Sequence, residues 1–249
     1  NNAAYDIGHL FGASGGGGNA GCIGCVCTND TASTIDKNKG SGFTSPGNSI
    51  PSGDSFDIDY VAHEMGHQLG ANHTFTHSNE DNAVNYEPGS GSTIMAYAGI
   101  TTKDVQGNSD DYFHAGSINQ VQTNMTGKTC DVETALGHGA PVVNAGADYT
   151  IPKSTPFTLT GSATDSGGGA LTYCWEQYDD ASGASQLCSI TNVSAGDNDC
   201  VPIATKTTGP VFRSYQPTSS SSRTFPLLQS VLNASVSTTG SEIAVEFLP

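Results

Sequence analysis

His63, Glu64, His67, Gly70 and His73 stand at the spacing HExxHxxGxxH, which sets three imidazoles and one carboxylate where a catalytic zinc ion needs them. On a helix, residues four apart lie one turn apart on one face, so His63 and His67 can share a metal at bonds of roughly 2.0–2.1 Å. Glu64 lies off that face. From there its carboxylate is placed to take a proton from an attacking water, the general-base role in metal-assisted hydrolysis. Gly70 has no β-carbon and can enter the left-handed conformation that turns the chain after a helix, bringing His73 back as a third ligand. Three protein ligands leave one coordination position open, which is the catalytic pattern. A bare HExxH occurs on ordinary solvated helices; the longer motif is far more specific.

Downstream of a loop rich in Pro, Gly and Ser comes Ser92-Thr93-Ile94-Met95-Ala96-Tyr97. Together with the long histidine motif this resembles the metzincin metallopeptidases, in which a tight turn sets a methionine beneath the three histidines. The resemblance implies that His63, His67 and His73 bind Zn2+, that Glu64 is the general base and that Met95 is the Met-turn residue. Tyr5-Asp6-Ile7-Gly8-His9-Leu10-Phe11, followed by a glycine run and a Cys-bearing stretch, is similar to the reprolysin-like, or adamalysin-like, peptidases of the secreted bacterial type. Two positions depart from adamalysins. His73 is followed by Thr74-Phe75 where they usually carry Asp, as in pappalysins, and Tyr97 matches the Met-X-Tyr of pappalysins, astacins and serralysins. By that resemblance the Tyr97 hydroxyl ligates zinc or hydrogen-bonds the oxyanion, with packing beneath the site as the alternative. It also implies a Cys27–Cys130 disulfide and an extended polypeptide substrate pairing with an upper edge strand near residues 21–26.

The composition agrees with an extracellular enzyme. Charged residues make up 13% of the chain, against about 25% in an average soluble protein. A net charge of -16 argues against nucleic acid and anionic membranes as partners. No apolar run of about 20 residues is present to span a bilayer, and the opening Asn1-Asn2-Ala3-Ala4 suggests a signal peptide already removed. Seven cysteines without a second Cys/His metal pattern read as disulfides formed in an oxidising compartment. Cys22, Cys25 and Cys27 imitate a metal cluster, with His9 the only weak candidate for a fourth ligand, and are read as disulfide partners instead. Cys188 and Cys200 are expected to close an acidic insertion, worth about 3 kcal/mol in the chain-entropy picture. The pairing of Cys22, Cys25 and Cys174 stays open, and the odd count leaves one thiol over.

The expected fold is α+β, with a catalytic domain over residues 1–135 and an all-β immunoglobulin-like sandwich over 140–249, joined by a linker around 136–141. The catalytic part is expected to contain a strand near Gly21–Cys27, the active-site helix, the Met-turn and a last helix from about Asp110 to Met125, with Tyr112, Phe113, Ile118, Val121 and Met125 on an apolar face. Beyond the linker, Phe157 and Leu159, then Leu171, Tyr173 and Trp175, then Ile243, Val245 and Phe247 alternate with polar neighbours. Residues 140–178 resemble the polycystic-kidney-disease type of immunoglobulin-like domain through Asn144-Ala145-Gly146-Ala147-Asp148, Leu159-Thr160-Gly161-Ser162 and Leu171-Thr172-Tyr173-Cys174-Trp175.

Asp179, Asp180, Asp197 and Asp199 offer oxygen ligands for a Ca2+ ion, but no complete loop motif surrounds them. Asp57 and Asp59 are read as acids at the positive end of the active-site helix, with calcium as an alternative. His9, His77, His114 and His138 lie outside the motif. Two readings stand beside a secreted zinc endopeptidase: a non-catalytic zinc-binding protein, which would have no use for Glu64, and a matrix- or glycan-binding protein acting through the sandwich. Finally, residues 1–62 are glycine-rich and loop-like, with no amphipathic helix. Strands and a backing helix are therefore expected to be missing, or supplied as a separate nicked fragment of the same precursor, leaving the active-site helix with an exposed apolar face or one covered by another chain.

Overall fold

The computed structural model describes residues 3–47, 50–78, 80, 82–181, 187–188 and 199–248. Its first part is a three-stranded sheet of β1 (His9–Phe11), β2 (Gly17–Asn19) and β3 (Gly42–Ser45). β3 lies in the middle, parallel to β1 and antiparallel to β2, with His9 opposite Gly42 and Gly18 opposite Thr44. Side chains alternate across a strand. His9 and the buried Thr44 therefore face inward, while Leu10 and Phe43, in register, are 69% and 42% exposed.

Under this sheet runs one helical rod: α1 (Asp54–Phe56), a π-helical stretch (Asp57–Ala62) and α2 (His63–Leu69). Asp57 and Asp59 do not stand ahead of the helix as expected, since the rod starts at Asp54 and both acids lie within its π-helical stretch. Gly70 ends it with φ 122°, in the region an L side chain avoids, and a Cβ there would fall 2.7 Å from Asn124 Cβ. Buried Gln68 joins rod to sheet, donating to the Gly8 carbonyl at 2.9 Å and facing His9 Nδ1 at 2.7 Å. On the other side, Ala71, Ile94 and Met95 form a core against Ile58, Ala62, Phe113 and Val121. No large apolar side chain from Asp54 to Leu69 is exposed. The expected uncovered face of the histidine-bearing helix is therefore absent, because the chain's own sheet, the turn at Ile94–Met95 and α3 (Ala115–Met125) pack around it.

Residues 21–27 are turns where a strand was expected. Gly21, Gly24 and Cys27 have φ of 75°, 74° and 65°, which no extended strand accommodates, and a Cys22–Cys25 disulfide closes the tight loop. The strand at this position in space is instead β2, hidden in a glycine run that reads as loop. The last helix begins at Ala115, five residues later than expected. His114 caps it by accepting from the Gly116 N–H at 3.0 Å, and Glu176 Oε2 accepts from the Ala115 N–H at 2.7 Å.

Between the rod and α3, residues 84–96 are buried without forming a helix or strand. Buried backbone must still find partners. Much of that work falls to Glu87, 1% exposed, whose carboxylate accepts from the Ser92 N–H (2.9 Å), the Thr93 N–H (3.1 Å) and the hydroxyls of Thr74 and Thr93.

After an exposed stretch at residues 131–140, the chain forms three two-stranded ladders: β4 (Val142–Asn144) with β6 (Ser162–Thr164), β5 (Phe157–Thr160) with β7 (Ser222–Phe225), and β8 (Ser237–Thr239) with β9 (Ala244–Phe247). A short α4 (Leu228–Leu232) follows β7. Glu246, fully buried on β9, pairs with Arg223 of β7 at 2.5 Å and accepts from the Leu227 N–H at 2.7 Å. This part also grips the first. Arg213 bridges to Asp110 at 3.1 Å, the Gly89 N–H donates to the Cys200 carbonyl at 2.9 Å, and the Ser241 N–H donates to Val105 O at 3.0 Å.

Removing the Glu87 carboxylate would strand two backbone N–H groups and two hydroxyls in a dry interior. Glu87→Ala is therefore expected to lose about 3–5 kcal/mol of unfolding free energy. A loss below about 1 kcal/mol in denaturant titration would show that the carboxylate does not hold this region.

Candidate active site

α2 carries His63 and His67 on one face, and the Gly70 turn returns His73 to them. The Nε2 atoms of His63 and His67 are 3.2 Å apart, those of His63 and His73 3.2 Å, and those of His67 and His73 3.0 Å. Each ring's other nitrogen has a partner. His63 Nδ1 meets the Ile94 carbonyl at 2.7 Å, His67 Nδ1 the Ala71 carbonyl at 2.7 Å, and His73 Nδ1 the Glu80 carboxylate at 2.6 Å. Carbonyls and carboxylates only accept, so each Nδ1 carries the proton and each Nε2 offers a lone pair. Three lone pairs converging on one point repel unless a cation lies between them.

A tetrahedral ion with bonds of roughly 2.0–2.1 Å calls for nitrogens about 3.3 Å apart, so the triangle fits zinc closely. Burial, then the neighbouring His67 and His73, push the His63 pKa well below its ordinary value; burial first and His73 next bring His67 down to about 4. Both effects keep the rings neutral and ready to ligate. Among the described residues no other group of three His, Cys, Asp or Glu side chains converges in this way.

Glu64 is 9% exposed beside these rings and faces β2. A Cβ on Gly18 would fall 2.5 Å from Glu64 Cγ, so only glycine lets the strand pass this close. Burial raises the Glu64 pKa to about 7, while a hydrogen bond from the Ala20 backbone pulls the other way. A carboxyl so tuned can accept and release a proton near neutrality.

Met95, fully buried, lies under the helix: a Cβ on Gly66 would sit 2.5 Å from its sulfur. Tyr97 packs edge-on to His73 with ring centroids 4.5 Å apart, and burial raises its hydroxyl pKa to about 12. It therefore stays protonated and able to donate.

The cleft extends both ways from Glu64 and Tyr97. A cavity of about 370 Å³ reaches along the rod to Asp59 and Ser55, and one of about 530 Å³ reaches past His67 and His73 to Lys37 and Glu80.

Three contributors escape a reading of the sequence. Glu80 and Glu87 are isolated acids in a polar loop, and only the returning chain shows what they hold. Asp59 was taken for a helix-end acid, whereas it lines the same cavity as His63 and Glu64. Other sequence candidates find structural partners. Cys27 bonds Cys130, Cys188 bonds Cys200, and Cys174 is the free thiol. Asp180 accepts from the Asn85 N–H at 3.0 Å, while Asp197 lies outside the described residues. His9 sits between Gln68 and Thr44.

The family model for metallo-peptidase family M12B, reprolysin-like, matches residues 1–131, a span that contains every residue of the histidine cluster and its carboxylate. No curated protein and no solved structure matches the chain. With more than half of its 249 residues inside that match, the chain belongs to the reprolysin-like metallo-peptidases of family M12B.

Proposed function

We propose that this chain is a secreted zinc endopeptidase of the metzincin type, in which His63, His67 and His73 hold the metal and Glu64 is the general base. The observation that carries the reading is the convergence of three Nε2 lone pairs within 3.0–3.2 Å, beside a buried carboxylate on the same helix. When bound, zinc polarises the scissile carbonyl and acidifies water. Glu64 takes a proton from the attacking water on a carboxylate oxygen and passes it to the leaving amine. The Tyr97 hydroxyl donates to the oxygen on which negative charge develops. The substrate lies extended along β2, whose outer edge is unpaired in the sheet order. Met95 supports the histidines from beneath, and residues 140–249, an immunoglobulin-like sandwich by their sequence pattern, form an accessory region.

Purified protein is expected to carry one zinc ion per chain. Native, unchelated protein without metal in elemental analysis would refute the ligand assignment. Glu64→Ala should retain zinc yet lose peptide hydrolysis by a factor of roughly 10² or more; wild-type rates in that variant would refute the base assignment. Because the base works only when ionised, kcat/KM is expected to rise with pH through a limb set by Glu64. Burial pushes the Glu64 carboxyl up, and the positive charge of a bound zinc ion opposes that rise. A rate that stays flat across the acid range would refute Glu64 as the base.

Tyr97→Phe is expected to lower kcat more than it raises KM, because its hydrogen bond strengthens as charge develops. Unchanged kinetics would favour simple packing against His73.

Glu80 orients the His73 ring and holds its proton on Nδ1, leaving Nε2 for the metal. Glu80→Gln should weaken zinc affinity by roughly 10–100-fold in competition with a chelator. An unchanged affinity would reduce Glu80 to a loop anchor.

A further inference from the structure

The 370 Å³ cavity beside Glu64 is charged on one side only. Its lining includes Asp59, Tyr60, His63, Glu64, Tyr97 and Ser109, and contains no lysine or arginine. Ala98, Gly99 and Gly107 also line it, and such small residues leave room for a long side chain. Asp59 lies four residues before His63. That sets it about one turn along the rod from His63, lining the same cavity and within reach of an extended lysine or arginine side chain that starts at the scissile bond. The π-helical stretch Asp57–Ala62, a form frequent at functional sites, carries Asp59 and leads directly into α2.

Asp59 is half-buried and has no ion-pair partner among the described residues. Its Oδ1 accepts from the Ser109 N–H at 2.8 Å, and the Asn108 amide, oriented to donate, reaches Oδ2 at 3.2 Å. Asparagine at position 59 would keep the acceptor for Ser109 and could donate its amide to a rotated Asn108, so loop anchoring by itself does not call for a charge. Burial raises the Asp59 pKa, and the negative charge of Asp54 adds to the rise. Both effects are relieved by a cation entering the cavity. The other arm of the cleft differs, since Lys37 and Glu80 both line it.

The geometry points to Asp59 as the specificity residue of this cavity, selecting an arginine or lysine side chain next to the scissile bond of the polypeptide substrate. The assignment rests on the peptidase reading above and names the substrate class for it.

The test uses fluorogenic peptides built on one cleaved sequence and differing only at the two residues flanking the scissile bond, with arginine, its neutral isostere citrulline, leucine or glutamate at each in turn. A charge-assisted hydrogen bond gives the wild-type protein a kcat/KM for arginine about tenfold or more above that for citrulline at one flanking position, with glutamate poorest. In Asp59→Asn, which retains the acceptor for Ser109, the arginine-to-citrulline ratio is expected to fall below about twofold. Wild-type protein that cleaves these peptides without distinguishing arginine from citrulline overturns the assignment, and that comparison needs no variant. A preference that survives in Asp59→Asn also overturns it, because another group would then be reading the charge. If no peptide of the series is cleaved by zinc-loaded protein, the peptidase reading itself fails.

Discussion

The Glu87 carboxylate is the interaction on which the site depends. It binds the residue directly after the third histidine, Thr74, and the two residues that open the Met-turn, Ser92 and Thr93. Both segments lack helix or strand ladders, so neither can satisfy its buried backbone by itself. One acceptor with two oxygens replaces the missing ladder. It fixes where His73 returns and where Met95 presses on the helix, and thereby relates the two halves of the histidine cluster. The price is a charged group brought out of water, tolerable only because its donors are all present.

From that frame the three histidines acquire their orientation through independent routes. The Ile94 carbonyl that fixes His63 belongs to the Met-turn held by Glu87, and the Ala71 carbonyl that fixes His67 belongs to the turn made by Gly70. Glu80, from the loop, fixes His73. A shift of the Met-turn would therefore move the acceptor of His63 as well as the methionine beneath it. The close approach of Gly66 to Met95 leaves little slack, because packed interiors answer a misplaced methyl group with strain. Preorganisation here comes from tight contacts between short elements, with few long ones to lean on.

This also explains what could be read from the residues alone. The histidine motif is legible because its chemistry follows from local helical spacing, and Gly70 is legible because a turn demands it. The Cys27–Cys130 bridge followed only from family likeness, since nothing local relates positions 103 apart. β2 and β3 were hidden because three- and four-residue strands rich in glycine carry no alternation to detect. Glu87, Glu80 and Asp59 were opaque for a further reason. An acid in a polar stretch looks solvated until the chain that covers it is placed, and its partners here lie up to 50 residues away.

The family match ends at residue 131, but the packing does not. Gly89, two residues beyond Glu87, donates to Cys200 and lies where a Cβ would strike Ile243 at 2.4 Å. Thr76 donates to the same Cys200 carbonyl at 2.8 Å, and the Cys188–Cys200 bond fixes that acceptor. Asp110, next to the strand of contacts that leads through Tyr112 to Ile94, is held by Arg213, while Glu176 neutralises the positive end of α3. The loop that carries Glu87 is thus met from outside by Cys200 and Ile243, and the buried Arg223–Glu246 pair ties β7 to β9 in the same region. A single buried glutamate anchors each region, and the two networks meet across the wall behind the Met-turn. The loop around Glu87 is consequently packed in part from beyond the family segment, while the donors to Glu87 itself lie within it.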